Sequence, residues 1–264
     1  MMKSADPSIV ACESLPEVRE DEASGDIARI YSDIRAVQKL STVNYIWRHL
    51  ASIDGALQGA WPTAKRLAPA ISRTARGLAI RASLLVEPWK AELSSIRPGD
   101  EEMQSILRFY NHGNAWNLSA ISFLLGAPEQ PNNEPPSLSR HEATIGSFPK
   151  LPRFADLPNS IQDVVQQLSS SGPAADTGIR PSLWVHLALW PQHLIALSGP
   201  VEAMIGSEQF RGAHRQLLAA CGVAYSEPSS SKAAEANARD SLQKFRRRIA
   251  EMLLVGHAIA PQES

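Results

Sequence analysis

Three asparagines spaced three residues apart form the most distinctive polar pattern in this 264-residue sequence. Asn111, Asn114 and Asn117 fall on adjacent parts of one helical face, between an aromatic stretch and the apolar segment 118–125. Asparagine is a poor helix former, so its repeated use beside Gly113 needs a reason. The amides could satisfy backbone groups at a kinked turn, or they could hold a water or a ligand through their donor and acceptor atoms.

A second candidate is the segment 180–186, which reads Arg-Pro-Ser-Leu-Trp-Val-His. Pro181 suits the first turn of a helix, and Ser182 would then lie among the free amides at the positive helix end. A carboxylate could bind there, or the segment could be an ordinary helix that starts at a proline and buries Leu183. His186 ends this segment, and an unperturbed imidazole with a pKa of about 6.5 is a competent base.

No pattern in the sequence indicates a metal or cofactor site. The sequence has no phosphate-binding loop, no Gly-x-Gly-x-x-Gly, no Cys-x-x-Cys and no Gly-x-Ser-x-Gly. His49 and His186 could face one another around a metal ion, but no carboxylate stands at metal-ligand spacing beside either. Polar contacts at equivalent places in two similar helices are the favoured interpretation, and neither metal nor cofactor is predicted.

Helices are expected to position these candidate residues. Apolar residues recur at helical spacing after Ser24-Gly25, which predicts an amphipathic helix over 26–38. A similar stripe near the C-terminus consists of Leu242, Phe245, Ile249, Met252 and Leu253. No convincing alternating run is typical of a strand, so the predicted fold class is all-α.

A proline-rich segment, 127–152, divides the sequence almost in the middle, because prolines at this density stop helices. Trp-Arg-His-Leu-Ala at 47–51 resembles Trp-Val-His-Leu-Ala at 184–188, and shorter pairs share nearly the same offset of 137 positions. We therefore predict two tandem helical repeats of about 130 residues, over 1–126 and 153–264, joined by the linker 127–152.

Two related helical units tend to pack about a pseudo-twofold axis, so a pseudo-dimer is expected within one chain. The seam between the units is a natural place for a cavity lined from both halves. Such a site should draw on the segments near 42–51, 108–118 and 180–190.

Charge and composition exclude several functional classes. Lys and Arg number 26 against 27 Asp and Glu, so the net charge of −1 provides no basic field for nucleic acid or anionic lipid. The basic run within 244–248 is typical of a solvated helical face. Two cysteines suggest a reducing compartment, and no apolar stretch approaches the roughly 18 residues of a membrane span. A cytoplasmic protein without nucleic-acid or membrane partners is expected.

These segments together resemble the group I 2-haloacid dehalogenases, an all-helical family that hydrolyses D- and L-2-haloalkanoic acids. The stretch 111–114, Asn-His-Gly-Asn, is similar to the family's Asn-x-Gly-Asn signature. Further matches are Ala23–Asp26, Tyr31–Arg35, Arg48–Ala51, Ala60-Trp61, Pro181-Ser182, Leu187-Ala188 and Trp190-Pro191. The resemblance implies a two-repeat helical fold, a homodimer, a small carboxylic acid as ligand and no cofactor.

The resemblance also implies a mechanism and a set of site residues. In that family an Asp base deprotonates a water, which attacks the halogen-bearing carbon and expels halide, while an Asn holds the water. Position for position, the Asn matches Asn114 and the substrate-contacting Ser matches Ser182. Tyr45 and Thr42 fall where the family has pocket-lining aromatic residues, and Asn111 in the signature is a further candidate substrate contact.

The catalytic Asp has no counterpart, because Leu183 stands where the base is expected. Loss of a general base usually costs about 10²–10⁴-fold in rate. Two replacements are possible: His186, on a neighbouring part of the same helical face, and Asp176, from the preceding loop. Three hypotheses follow: a hydrolase that uses Asn114 and His186, a family member that only binds a small carboxylic acid or catalyses another reaction, and a purely structural helical protein.

Overall fold

The computed structural model describes residues 15–93, 96, 100–128, 149–222 and 233–260. Within these residues the chain is helical and contains no strand, so the predicted all-α class is confirmed. Most of the predicted linker lies outside the described residues.

The described residues of the first half form six α-helices: α1 (Gly25–Gln38), α2 (Tyr45–Leu50), α3 (Ala56–Arg66), α4 (Ala68–Leu85), α5 (Glu87–Leu93) and α6 (Glu101–Leu124). The helix predicted over 26–38 is α1, and it ends where Lys39 adopts a left-handed backbone conformation with φ of 54°. Its Tyr31 and Ile34 are buried in the core, as the apolar spacing requires.

The second half, where the structure describes it, forms five α-helices: α7 (Asn159–Ser169), α8 (Ser182–Leu187), α9 (Pro191–Gly206), α10 (Glu208–Ala220) and α11 (Ala233–Ile259). Short 3₁₀ turns over Phe154–Asp156 and Ala175–Thr177 precede α7 and α8. The predicted C-terminal stripe lies on α11, where Phe245 and Leu253 are buried. Pro181 immediately precedes α8 in extended backbone, which agrees with a proline-started helix.

Helix α6 lies at the centre of the molecule and packs along both α4 and α11. Fifteen of its 24 residues are buried, including Asn114 and Asn117. Asp100 caps its first turn, because the side chain accepts a hydrogen bond from the Glu102 backbone N–H at 2.9 Å. The asparagine pattern therefore lies on a buried helix with neighbours on several sides.

The halves show local parallels at the positions that the sequence pairs. Trp47 in α2 and Trp184 in α8 are fully buried, and both helices are six residues long. The histidine two residues further on bonds a proline carbonyl oxygen in each half: His49 that of Pro16 at 2.7 Å, and His186 that of Pro149 at 2.8 Å.

Candidate functional site

A cavity of about 500 Å³ lies between the two halves, in the size range of small-molecule sites. Its walls come from α2, α6, α8 and α11 and from the loops before α1, α2, α7 and α8. All three segments expected from the sequence contribute, through residues within 42–51, 108–118 and 180–190. Residues 245–252 of α11 and the loop residues 19–21 and 149–151 also line the cavity, and sequence analysis did not assign them to a site.

Five of the six predicted site residues line this cavity together. They are Thr42, Tyr45, Asn114, Ser182 and His186. Tyr45 is held by a hydrogen bond from its hydroxyl to the Leu15 carbonyl oxygen at 2.9 Å, and burial raises its pKa. The tyrosine therefore presents a neutral ring face rather than a phenolate.

The structure places the sixth residue, Asn111, outside the cavity. Its amide packs against α11 at Gly256, where a Cβ atom would collide with the Asn111 side-chain oxygen. At about 100° per residue, Asn117 lies on one side of Asn114 around α6 and Asn111 lies on the other. The even spacing therefore spreads the three amides over two neighbouring environments, which sequence reasoning had joined into one.

Asn114 and Asn117 line the cavity, and each carries a buried amide nitrogen. The Asn117 side-chain oxygen accepts from Gln38 Nε2 at 3.1 Å and from Trp47 Nε1 at 2.7 Å, which fixes the orientation of the amide. Both Nδ2 atoms are buried and have no hydrogen-bond partner within the described part of the chain. Asn117 stood in the sequence pattern, but only the structure shows that it lines the cavity.

Close approach of the loop before α2 to α6 depends on Gly113. A Cβ atom at this position would lie 2.9 Å from the Asn44 side-chain nitrogen and 3.3 Å from a Leu40 methyl carbon. The missing side chain lets the segment with Thr42 and Tyr45 approach the helix that carries Asn114.

His186 lies on the opposite wall as a buried, neutral ring. Because a carbonyl oxygen can only accept, Nε2 carries the hydrogen and donates it to the Pro149 oxygen at 2.8 Å. Nδ1 then accepts from the Tyr110 hydroxyl at 3.2 Å. Burial lowers the pKa of the imidazole, and the bond to Pro149 offsets this in part. Both ring nitrogens are engaged, so a proton reaches Nδ1 most directly through the Tyr110 hydroxyl.

Among the described residues of the cavity wall, each carboxylate is engaged by a partner. Leu183 lines the cavity and is 1% exposed. Asp176 does not line the cavity; it binds Arg247 on the surface at 2.7 Å, and this contact lowers its pKa. The structure thus removes Asp176 as a replacement base. Glu20 does line the cavity, but its oxygens accept from Arg35 at 2.5 Å and from the Val43 backbone N–H at 2.8 Å.

Arg48 is a cavity-lining residue to which sequence analysis gave no role. Its side chain is 10% exposed, and its guanidinium carbon lies 5.7 Å from the centre of the Tyr45 ring. Nε forms an ion pair with Glu17 at 2.9 Å. The sequence held a signal for it, because the matching position in the second half is the apolar Val185.

The two paired histidines do not face one another around a metal. His49 donates from Nδ1 to the Pro16 carbonyl oxygen, and its Nε2 contacts the Ser241 hydroxyl at 2.9 Å, whereas the ring of His186 bonds Tyr110 and Pro149. Across the described residues, no group of three or more His, Cys, Asp or Glu side chains is arranged to hold a metal ion. None of the described helices combines the length and the apolar character needed to cross a bilayer.

Solved structures of haloacid dehalogenases share this fold over nearly the whole chain. A D-2-haloacid dehalogenase mutant in complex with D-2-CPA, and a further structure of such a mutant, each align at 17% identity with a TM-score of 0.68, covering 94% of this chain and 96% of theirs. The D-2-haloacid dehalogenase complex with L-LA aligns at 16% identity with a TM-score of 0.65, covering 94% of this chain and 95% of that one. No family model and no curated protein matches the sequence. The chain thus has a D-2-haloacid dehalogenase fold, and the resemblance indicated by its motifs is confirmed at that level.

Proposed function

We propose that this chain binds a carboxylic acid in the cavity between its halves. The observation that carries the proposal is the set of donor residues that line the cavity: Asn114 and Asn117, whose buried amide nitrogens have no partner among the described residues, and Arg48. A buried donor without a partner costs about 1–3 kcal/mol, and a bound anion or an ordered water would satisfy it. Similar solved structures were determined with D-2-CPA and with L-LA, which supports a ligand of this chemical class.

Calorimetric titration with D- and L-2-chloropropionate and with lactate tests this proposal. We expect saturable binding that weakens about 5–50-fold in Asn114→Ala, because one polar contact to a charged ligand is removed. Asn159→Ala is the matched control, since Asn159 is exposed at the start of α7 and does not line the cavity. Absence of binding in the folded wild-type protein, or equal loss in both variants, would contradict the carboxylate site.

Hydrolytic dehalogenation is the second candidate function, and the Tyr110–His186 pair favours it. In this scheme Asn114 orients a water, and the Tyr110 hydroxyl takes a proton from that water while passing its own proton to His186 Nδ1. The water oxygen forms the new bond to the halogen-bearing carbon, and halide leaves with the electrons of the broken bond. The products are a 2-hydroxy acid, halide and one proton.

Halide release from D- and L-2-chloropropionate tests the second candidate. Activity above that of buffer should fall at least tenfold in Tyr110→Phe, which keeps the ring but removes the proton path, and in His186→Ala. Halide release unchanged in both variants would exclude this route. Acid binding without halide release would leave the first proposal in place and reject the second.

We further propose that the fold arose as two tandem repeats of one helical unit. Support comes from α2 and α8, which begin and end 137 positions apart, and from Pro62 in α3 and Pro200 in α9, which both lie inside helices. Superposition of residues 15–126 on 149–260 tests the pairing, and failure of α2 to fall on α8 would reject it. The homodimer implied by the resemblance stays a prediction, which sedimentation of the purified chain can test.

A further inference from the structure

The cavity is much larger than a three-carbon acid requires. A water molecule in the liquid takes about 30 Å³, which is a generous allowance for each non-hydrogen atom of a ligand. On that allowance the six such atoms of 2-chloropropionate fill at most about 180 Å³. The cavity measures about 500 Å³, so most of its volume would remain unfilled by such a ligand.

The cavity has an apolar wall that could take the rest of a larger acid. Phe245, Ile249 and Met252 project into it from α11, at the i, i+4 and i+7 positions of one helical stripe. Leu183 and Ile179 line it from the segment around the start of α8. Each of these side chains is at most 8% exposed, so the wall is continuous with the hydrophobic core.

Arg48 is the cation best placed to anchor the carboxylate group. Its side chain makes no hydrogen bond to any described residue, and its ion pair with Glu17 engages Nε at 2.9 Å. Binding through Nε leaves the two terminal nitrogens for a bidentate contact. Arg248 also lines the cavity, but its terminal nitrogens donate to Glu251 at 2.6 Å and to the Ser169 carbonyl oxygen at 2.8 Å.

The acidic residues of the cavity wall leave this anchor accessible to an anion. Glu20 is neutralised by Arg35 and by a backbone N–H, and Asp21 pairs with Lys150 at 2.9 Å at the exposed edge. The remaining carboxylate beside Arg48 is Glu17, and Arg19 lies 3.7 Å from its other oxygen. Because each acidic side chain near the anchor has such a partner, it repels an incoming carboxylate less strongly.

We propose that the ligand is a carboxylic acid with a medium-length alkyl or aryl substituent, held by Arg48 at its carboxylate and by the α11 stripe at its apolar end. This inference rests on the proposed carboxylate site and adds the class of acid and the residue that binds its charge. It predicts that affinity grows with apolar bulk until the cavity is filled.

Titration of the full chain with propionate, hexanoate, octanoate and 3-phenylpropionate tests the size of the ligand. Each buried methylene strengthens binding by roughly fourfold, so octanoate should bind at least tenfold more tightly than propionate. Propionate that binds as well as octanoate or better would overturn the size inference while leaving the carboxylate site intact. No binding by any of these acids would overturn the carboxylate site itself.

A substitution that fills part of the cavity tests whether the apolar wall contacts the distal end of the ligand, rather than binding it by general hydrophobic attraction. Ile249→Phe adds bulk inside the cavity and should weaken octanoate binding more than tenfold while changing propionate binding less than threefold. Retained propionate binding shows that this variant is folded. Equal effects on both acids would contradict a wall that contacts the distal end of the ligand.

Replacement of Arg48 tests the anchor through a charge preference that a structural role would not alter. In the wild type, octanoate should bind at least tenfold more tightly than its neutral amide; Arg48→Gln should abolish this preference, and Arg48→Lys should restore part of it. Arg29→Gln is the control, because Arg29 is an exposed partner of Asp26 and does not line the cavity. If Arg48→Gln weakens the acid and the amide equally, Arg48 is not the anchor.

Discussion

Leu183→Asp places a carboxylate on the cavity wall, at the position where the resemblance to haloacid dehalogenases implies a base. If the cavity binds 2-chloropropionate and Asn114 positions a water, this change should introduce or raise halide release from that acid. A positioned general base contributes about 10²–10⁴-fold, so the expected increase over wild type lies in that range. The rate should rise with pH, because burial raises the pKa of the new carboxyl group and only its ionised form accepts a proton.

The same substitution has a calculable effect on stability. Leu183 is 1% exposed, so its replacement removes about 2–3 kcal/mol of apolar burial. For a chain of this length, that loss lowers Tm by roughly 4–12 °C. Burial of the new carboxyl group adds a further cost to this loss. Thermal unfolding of the variant therefore checks that the assay concerns a folded protein.

Leu183→Asn is the control for this experiment, because it has nearly the same shape and polarity as the Asp variant but cannot act as a base. Halide release should appear in the Asp variant and not in the Asn variant, and Asn114→Ala in the Asp background should remove it again. A folded Asp variant that binds 2-chloropropionate yet releases no more halide than the Asn variant would refute the reasoning that the pocket lacks only its base.

Three further predictions concern stability. Burial lowers the pKa of His257 to about 4, so the folded state binds fewer protons than the unfolded state below pH 6.5. Unfolding in urea should therefore show the free energy of unfolding falling by up to about 3 kcal/mol between pH 6.5 and 4. His257→Gln should flatten this pH profile. Gly256→Ala should cost about 1–3 kcal/mol, because its Cβ meets the Asn111 amide, and Asn111→Ala should reverse that loss; a neutral Gly256→Ala would show that the contact relaxes freely. Glu251→Ala leaves the 2% exposed Arg248 without its partner and should lower the free energy of unfolding by about 3–5 kcal/mol, measured by denaturant titration at pH 7.

The sequence predicted the fold class and part of the cavity because helical periodicity is a local property. The helix expected over 26–38 is α1 to within one residue, and the asparagine face and the proline before α8 lie on the elements foreseen for them. What escaped prediction depends on contacts between distant segments. Asn111 turns toward Gly256, 145 positions away, and no local pattern reveals that pairing.

The site was predictable where a residue type stood out from its surroundings. Asn114 and His186 are polar in apolar segments, and they do reach one cavity. Arg48 was not predicted because the match between 47–51 and 184–188 was used for the residues that are identical, and Arg48 is the one that differs. The α11 residues on the cavity wall were recognised as core but not as lining, because an apolar stripe has the same spacing in both roles.

Gly113 does not itself line the cavity, but it lets the loop that carries Thr42 lie close to the helix that carries Asn114. A side chain at this position would press against the Asn44 and Leu40 side chains and push the loop that carries them away from α6. A substitution at this glycine is therefore expected to change the shape of the cavity without replacing any residue that lines it.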